Sequence, residues 1–195
     1  MKKLLLGLAL TTLFAAPAFA ALKVGDTAPD FSAVASLGGK EFTFKLNEAL
    51  KKGPAVVYFY PSAYTGGCDL EAHTFAENHE KFEAVNASII GVSADNLERL
   101  NQFAADPNFC AGKFPIASDE SLNIAKSYNL KTTPAQKGAK DVRGVEIGHG
   151  FIERVTFVVG KDHKIAAVMS STDDKITPDQ HVEKSLEIVK KMASK

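Results

Sequence analysis

The sequence predicts an α/β fold with a central mixed β-sheet flanked by helices and an N-terminal β-hairpin. Short apolar runs alternate with amphipathic stretches along the chain, which is typical of strands joined by helices. Gly38 and Gly39 separate two short extended segments, which is a hairpin signal. The chain closes with a strand, a tight turn, a second strand and a helix. This last unit adds an antiparallel pair to a parallel sheet, so the sheet is predicted to be mixed.

The first twenty residues have the features of a secretory signal peptide. Two lysines precede an apolar segment at residues 4–14, and an Ala-Phe-Ala triplet ends at Ala20. The apolar segment is shorter than the ~20 residues that a membrane span needs. We therefore expect residues 1–20 to be cleaved after Ala20, the protein to work in a bacterial periplasm, and residues 21–195 to form one domain.

The elements of this domain follow from local patterns, taken in chain order. Uniformly apolar runs indicate strands covered on both faces, and amphipathic spacing or a cap residue indicates helices. The amphipathic spacing predicts that Leu70 lies on the buried side of its helix. Asp95 stands where it can cap the helix that follows it. The predicted strands and helices are 31–45 (two strands), 47–52 (helix), 55–60 (strand), 68–85 (helix), 87–94 (strand), 95–105 (helix), 114–118 (strand), 118–128 (helix), 153–160 and 164–170 (strands) and 178–193 (helix). This order suits a thioredoxin-like fold better than a doubly wound nucleotide-binding fold.

Composition excludes several function classes. The chain has 23 Lys and Arg against 23 Asp and Glu, and loss of the two leader lysines leaves a slightly acidic domain. A near-neutral domain with no basic block gives no sign of nucleic acid or a membrane surface as a partner. The five histidines form no cluster with metal-ligand spacing, and Gly148-His149-Gly150 precedes a strand rather than a helix. We therefore expect neither a metal nor a dinucleotide.

The two cysteines, Cys68 and Cys110, allow two interpretations. In an exported protein they could form a structural disulfide, closing a loop of about 43 residues and adding roughly 4 kcal/mol of stability. Cys68, however, follows a strand and two glycines where a helix begins. Unpaired backbone N–H groups and the helix dipole at that point should lower the pKa of a thiol, although Asp69 beside it opposes this. The residues alone leave a reactive and an inert Cys68 both open.

The stretch YFYPSAYTGGCDLE resembles the active site of peroxiredoxins, where Pro, Thr and the peroxide-attacking cysteine are spaced P-x-x-x-T-x-x-C. Pro61, Thr65 and Cys68 match that spacing, and Glu71 matches a glutamate common three residues later. FIERVTFVVGKDHKI is similar to the family's arginine-containing strand and places Arg154 at its essential arginine. VGDTAPDFS and FPIASDESLNIAKSYNL also resemble family landmarks. The resemblance covers nearly the whole domain and favours the bacterioferritin-comigratory (Q-type) subgroup.

The resemblance implies an antioxidant enzyme, a thiol-dependent peroxidase for hydrogen peroxide and small organic hydroperoxides that needs no cofactor. Cys68 would attack the peroxide and become a sulfenic acid, and Arg154 would stabilise the thiolate and polarise the O–O bond. Thr65 and the backbone N–H groups at and before the cysteine would hold the peroxide oxygens. Pro61 would shield the sulfenate from water, and Glu71 would orient Arg154.

The sequence also departs from the family pattern. Gly66 stands where Pro is often found, and Asp69 replaces a more usual Thr. His73 occupies the position of the resolving cysteine of many Q-type members. Some relatives place that cysteine near Cys110, so the resemblance implies a Cys68–Cys110 disulfide that a thioredoxin-like or other thiol reductant opens. The first helical turn would have to unwind to bring the sulfurs together.

Several alternatives stay open at this point. Cys110 is either the resolving cysteine or a bystander to an external thiol. The fold would also accommodate a disulfide oxidoreductase, although Cys68 lacks a C-x-x-C partner, or a redox-inert binding or holdase domain with a structural disulfide. The resemblance implies a monomer or weak homodimer, and the preferred peroxide and electron donor are not specified by the sequence.

Overall fold

The computed structural model describes residues 21–194, so the predicted signal peptide lies outside the described residues. The domain alternates strands and helices as the apolar and amphipathic segments predict. In chain order the elements are β1 (Ser32–Leu37), β2 (Lys40–Lys45), α1 (Leu46–Lys52), β3 (Ala55–Phe59), α2 (Gly66–Glu83), β4 (Ser88–Ser93), α3 (Leu97–Ala105), β5 (Ile116–Ser118), α4 (Asn123–Ser127), β6 (Thr132–Thr133), β7 (Phe151–Ile152), β8 (Val155–Val159), β9 (Ile165–Ser170) and α5 (Pro178–Ala193).

A seven-stranded mixed sheet organises the domain, with strand order β2-β1-β5-β4-β3-β8-β9. The central strand β3 runs parallel to β4, with Val57 opposite Ile90, and antiparallel to β8, with Val57 opposite Phe157. All five residues of β3 are buried, which explains its uninterrupted apolar sequence. The predicted mixed sheet and the hairpin of β1 and β2 are therefore confirmed.

The two faces of the sheet carry separate apolar clusters. Val57 and Phe59 of β3 point into one cluster, whereas Val56 and Tyr58 point into the other, because side chains alternate along a strand. The second cluster is covered by α2, α3 and α5 and contains both cysteines. The candidate site therefore lies on this face, at the end of the sheet where β3 leads into α2.

Two local predictions are wrong. Leu70 is 45% exposed rather than buried, because the inward side of α2 is formed by residues spaced three, four and seven positions from Cys68. Asn96, not Asp95, caps α3 by accepting a hydrogen bond from the backbone N–H of Arg99 at 2.9 Å. Asp95 is instead fully buried and serves the active-site loop described below.

No strand was predicted between the helix at 118–128 and the strand at 153–160, yet this segment contains a small two-stranded sheet. Thr132 pairs with Ile152 and Thr133 with Phe151. Two-residue strands are too short to show a period-two pattern, which explains why they were missed. Among the described helices, none is long and apolar enough to cross a membrane.

Candidate active site

Cys68 lies in the first turn of α2, with 2% of its surface exposed. The turn that leads into the helix passes through Tyr64, whose backbone is left-handed at φ 58°, and extended Thr65 at the N-cap position. The Thr65 side chain does not cap the helix. Its hydroxyl donates to the carbonyl oxygen of Ser62 at 2.7 Å, which closes the turn in front of the cysteine.

Arg154 immediately precedes β8, the antiparallel neighbour of β3, and its side chain reaches Cys68. Its Nη2 donates to Cys68 Sγ at 3.0 Å, and its Nη1 donates to Glu71 Oε2. The Arg154 side chain is 10% exposed, and that of Glu71, one turn after the cysteine on α2, is fully buried. The fold thus brings together three residues from two distant parts of the chain, and the guanidinium bridges a thiol and a carboxylate.

Of the two glycines before the cysteine, Gly67 is the one that this contact needs. A Cβ atom at Gly67 would lie 3.3 Å from Arg154 Nη2 and 3.4 Å from Pro178 Cγ. A Cβ atom at Gly66 would meet nothing within 4 Å. Gly67 therefore permits the close approach of the guanidinium to the helix terminus, and Gly66, which stands where the family often has Pro, has room for a Cβ atom.

The electrostatic balance at Cys68 differs from the sequence-based expectation. Burial raises the pKa of the thiol, while the charge of Arg154 lowers it, and burial is the larger effect. The pKa of Cys68 is therefore raised at this depth, not lowered as its position at a helix N-terminus predicted. Asp69 is half-buried rather than turned to solvent, and burial raises its own pKa to about 6.

One of the backbone N–H groups predicted to hold the peroxide already has a hydrogen-bond partner. The backbone N–H of Cys68 donates to the Thr65 carbonyl oxygen at 2.8 Å, so in this conformation it does not stand ready for a peroxide oxygen. Pro61 is half-buried in the loop between β3 and α2. Within residues 21–194, no group of three His, Cys, Asp or Glu side chains could hold a metal ion.

A buried carboxylate that the sequence reasoning missed holds the loop in front of the cysteine. Asp95 Oδ2 accepts from the backbone N–H of Ala63 at 2.8 Å, and Oδ1 accepts from the Ser62 hydroxyl at 2.9 Å. His149 Nε2 lies 2.7 Å from Oδ1, and Arg99 Nε lies 2.9 Å from it. Burial raises the pKa of Asp95, but His149 and the other donors outweigh it and leave that pKa below its ordinary value.

A second carboxylate extends this network to Tyr64. Asp141 Oδ2 binds Arg99 Nη2 and Arg143 Nη2, each at 2.8 Å. The guanidinium carbon of Arg143 stands 3.3 Å from the centre of the Tyr64 ring, and Tyr64 O accepts from the backbone N–H of Val142 at 2.9 Å. The segment that contains Asp141 therefore clamps the left-handed residue of the active-site turn.

Because β3 and β4 are parallel, the residues that follow them meet at one sheet edge, and this signal could have found Asp95.

Cys110 lies in the turns between α3 and β5 and is fully buried. Both cysteines are free thiols and belong to the same apolar cluster. Burial, with the charges of Asp106 and Asp69, raises the pKa of Cys110 well above its ordinary value. The Cys110 segment contacts α2 directly, since His73 Nδ1 lies 3.0 Å from the carbonyl oxygen of Asn108.

A buried cysteine bound by an arginine at the first turn of a helix, on a thioredoxin-like fold, defines a class of thiol-dependent oxidoreductases. The AhpC/TSA family model matches residues 24–168. The chain therefore belongs to the AhpC/TSA family, and it is a peroxiredoxin, a thiol-dependent peroxidase.

Named relatives agree with this assignment. The chain is 31% identical to a putative peroxiredoxin of Mycobacterium tuberculosis over 89% of its own length and 99% of the relative. It is 30% identical to peroxiredoxin Bcp of Bacillus subtilis, with the same coverage of both chains. Among solved structures, peroxidoxin BcpB of Mycobacterium tuberculosis superposes with a TM-score of 0.69 at 29% identity, covering 87% of this chain and 97% of that one. PrxQ of Xylella fastidiosa gives 0.69 at 26% identity, covering 89% and 99%.

Proposed function

We propose that the enzyme reduces hydrogen peroxide and small organic hydroperoxides through a sulfenic acid on Cys68. The observation that carries the proposal is the 3.0 Å contact between Arg154 Nη2 and Cys68 Sγ, since it puts a fixed cation beside the only atom that would attack. The 2% exposure of the cysteine favours narrow substrates over bulky ones. The alternatives, a disulfide oxidoreductase or an inert binding domain, receive no support from the site.

In the peroxide step the Cys68 thiol first loses its proton. The thiolate sulfur then forms a bond to the terminal peroxide oxygen as the O–O bond breaks. The sulfur is oxidised by two electrons, and the departing oxygen takes up a proton and leaves as water or an alcohol. Arg154 stabilises the negative charge as it moves from the sulfur to the departing oxygen. Thr65 orients the peroxide, and Pro61 covers the sulfenic acid against water.

For the second step we propose that Cys110 resolves the sulfenic acid. Its sulfur attacks Cys68, an S–S bond forms, and the sulfenic oxygen leaves as water with the Cys110 proton. Support comes from the burial of both thiols in one apolar cluster and from the contact between the Cys110 segment and α2. The first turn of α2 unwinds so that the sulfurs meet at bonding distance. A thioredoxin-like thiol reductant then supplies two electrons to reopen the disulfide.

We further propose export to the periplasm, with cleavage after Ala20, and a monomer or weak homodimer. The lysine pair, the apolar segment and the Ala-Phe-Ala triplet support export. Fractionation of cells that express the full chain, followed by N-terminal sequencing, tests it. A protein that retains residues 1–20 and stays in the cytoplasmic fraction would contradict this proposal and leave the peroxidase chemistry untouched.

The chemistry is tested by mixing reduced protein with one equivalent of hydrogen peroxide in a stopped-flow instrument. Cys68→Ser should lose peroxide consumption entirely, and a variant as fast as the wild type would refute the proposal.

Cys110→Ser should consume peroxide normally but accumulate a sulfenic or sulfinic acid on Cys68, because the resolving thiol is gone. Mass spectrometry after one turnover should show the Cys68–Cys110 disulfide in the wild type alone. The same oxidised product in both proteins would remove Cys110 from the cycle.

A further inference from the structure

Behind the pair formed by Glu71 and Arg154 lies a buried polar cluster of Thr156, Ser171 and His181 that the peroxide chemistry does not use. His181, on α5, is fully buried. Its Nδ1 lies 2.9 Å from Thr156 Oγ1, and its Nε2 lies 2.9 Å from Ser171 Oγ. The ring also stands next to the glutamate, with Nδ1 4.0 Å from Glu71 Oε1. This histidine is therefore fixed by both ring nitrogens directly behind the arginine's anchor.

Glu71 needs a donor at this place. Its Oε2 accepts from Arg154, but Oε1 is buried and has no partner of ordinary hydrogen-bond geometry among the described residues. A buried carboxylate oxygen without a donor costs free energy, and nearly all such atoms in proteins are satisfied. The Thr156 hydroxyl, which contacts the same His181 nitrogen that faces this oxygen, lowers the pKa of Glu71. It stands outside ordinary hydrogen-bond geometry with Oε1, so donation to Glu71 needs a small movement and a hydrogen that points to the carboxylate.

The histidine decides that direction. Burial, together with the charge of Arg154, lowers the pKa of His181 to about 4, so the ring is neutral at physiological pH and has one donor and one acceptor. If Nδ1 carries the hydrogen, it donates to Thr156, whose own hydrogen is then free for Glu71, and Nε2 accepts from Ser171. In the opposite tautomer Thr156 donates to His181 and leaves Glu71 without a donor. Only the first arrangement leaves the Thr156 hydrogen free to turn toward Glu71.

We propose that His181 and Thr156 are positioning residues of the peroxidase site, which direct a donor to Glu71 and thereby keep Arg154 aimed at the Cys68 sulfur. The inference rests on the proposed attack by Cys68. Neither residue touches the sulfur or the substrate, and both act through the carboxylate of Glu71. The chain of contacts links α5 to α2 and to the segment before β8, so α5 sets the geometry of the arginine.

The hydroxyl at residue 156 gives a direct test, because Val and Thr have nearly the same shape. Thr156→Val should slow the reaction of the reduced enzyme with hydrogen peroxide by at least about tenfold, the lower end of the effect of losing one hydrogen bond to a charged group. Thr156→Ser keeps the hydroxyl and should restore the rate to within about twofold. His181→Leu should match the valine variant. The double variant should be no slower than either single one, since both remove the same donor.

A matched control comes from the same helix. Ser185 is buried one turn after His181, and its hydroxyl donates to the His181 carbonyl oxygen at 2.7 Å. Ser185→Ala disturbs the packing of α5 but leaves the Thr156 contact intact, so it should react with peroxide at the wild-type rate. A loss of rate in Ser185→Ala equal to that in His181→Leu would mean that general packing, not the donor, matters, and would overturn the proposal.

The pH profile separates positioning from a packing defect. Burial raises the pKa of Glu71 to about 7, so the rate should rise near that pH as the carboxylate ionises. A separate rise at higher pH should follow as the Cys68 thiol, whose pKa burial also raises, loses its proton. The charged groups that face His181 are Glu71, Arg154 and Asp174. Loss of the Thr156 donor raises the pKa of Glu71 further and should move this midpoint to higher pH in Thr156→Val. A packing defect lowers the rate at every pH with the midpoint unchanged.

Three further outcomes would overturn the inference: a wild-type rate and midpoint in Thr156→Val, equal losses in Thr156→Val and Thr156→Ser, or additive losses in the double variant. If His181→Leu does not fold, as judged by circular dichroism, the Thr156 pair decides alone. Failure here leaves the peroxidase proposal intact, because that proposal fails only if Cys68→Ser still consumes peroxide.

Discussion

The approach of Arg154 to the helix terminus can be perturbed by a single methyl group. In Gly67→Ala the new Cβ atom would lie 3.3 Å from Arg154 Nη2 and 3.4 Å from Pro178 Cγ. Pro178 is the first residue of α5 and cannot rotate away, whereas the guanidinium can move. We therefore expect Arg154 to shift by a few tenths of an ångström and to lengthen its 3.0 Å contact with Cys68 Sγ.

The size of the effect follows from this contact. A hydrogen bond to a charged group contributes about 1.5–3 kcal/mol, so the loss of roughly half of it slows the peroxide step about 4- to 13-fold. Alanine also restricts the unfolded chain and should raise the free energy of unfolding by about 0.4–1 kcal/mol. Gly67→Ala should thus be a slower enzyme that is no less stable than the wild type.

Gly66→Ala is the matched control, because its Cβ atom would meet nothing within 4 Å. It should show the same gain in stability and the wild-type rate. Stopped-flow peroxide consumption gives the rates, and urea denaturation gives the free energies of unfolding. If Gly67→Ala reacts as fast as Gly66→Ala, the close approach of Arg154 does not limit the peroxide step and the reasoning fails.

Two further predictions concern the site and the loop in front of it. Arg154→Met removes the cation beside the sulfur and should slow the stopped-flow peroxide step at least about 100-fold, with Arg154→Lys less affected; a near-normal rate in the Met variant would contradict the assigned role. Burial lowers the pKa of His149, but Asp95 raises it more, so it lies above its ordinary value of 6.5. The contribution of His149 to stability is therefore full below that value and is lost as the pH rises through the raised pKa. Thermal unfolding measured between about pH 6 and about pH 9 should show this loss of stability in the wild type but not in His149→Gln. The same pH dependence of stability in both proteins would contradict the prediction.

The sequence predicted most of the fold because each central element has a strong local signal. The apolar run of β3 and the glycine-flanked start of α2 are readable without tertiary information, and so is Pro178 at the start of α5, where Thr177 completes a capping box. Leu70 was misplaced because helical spacing groups residues on one side but does not say which side the sheet covers. The register of the sheet decides that, and register is not a local property.

The residues that support the site were not predicted, for a different reason. Asp95 and His149 are 54 positions apart, and Thr156 and His181 are 25 apart. Neither pair stands in a recognisable motif, and single histidines are more often solvated or core residues than functional ones. Arg154 was found only through a resemblance to a family, whereas these residues become visible only when the strands bring their hydrogen-bonding atoms together.

The burial of Cys68 changes the explanation of its reactivity. A helix N-terminus alone predicted a lowered pKa, yet burial raises it, and Arg154 is the largest opposing influence. The same burial keeps water out of the contact between the guanidinium and the sulfur, so the charge of Arg154 acts with less screening than at the surface. In the proposed peroxide step, negative charge moves onto the departing oxygen as the O–O bond breaks, and a fixed cation is worth more there than beside the resting thiol. Burial therefore reduces the fraction of thiolate at rest but increases what Arg154 contributes in the transition state, and the rate depends on the sum of these two opposed effects.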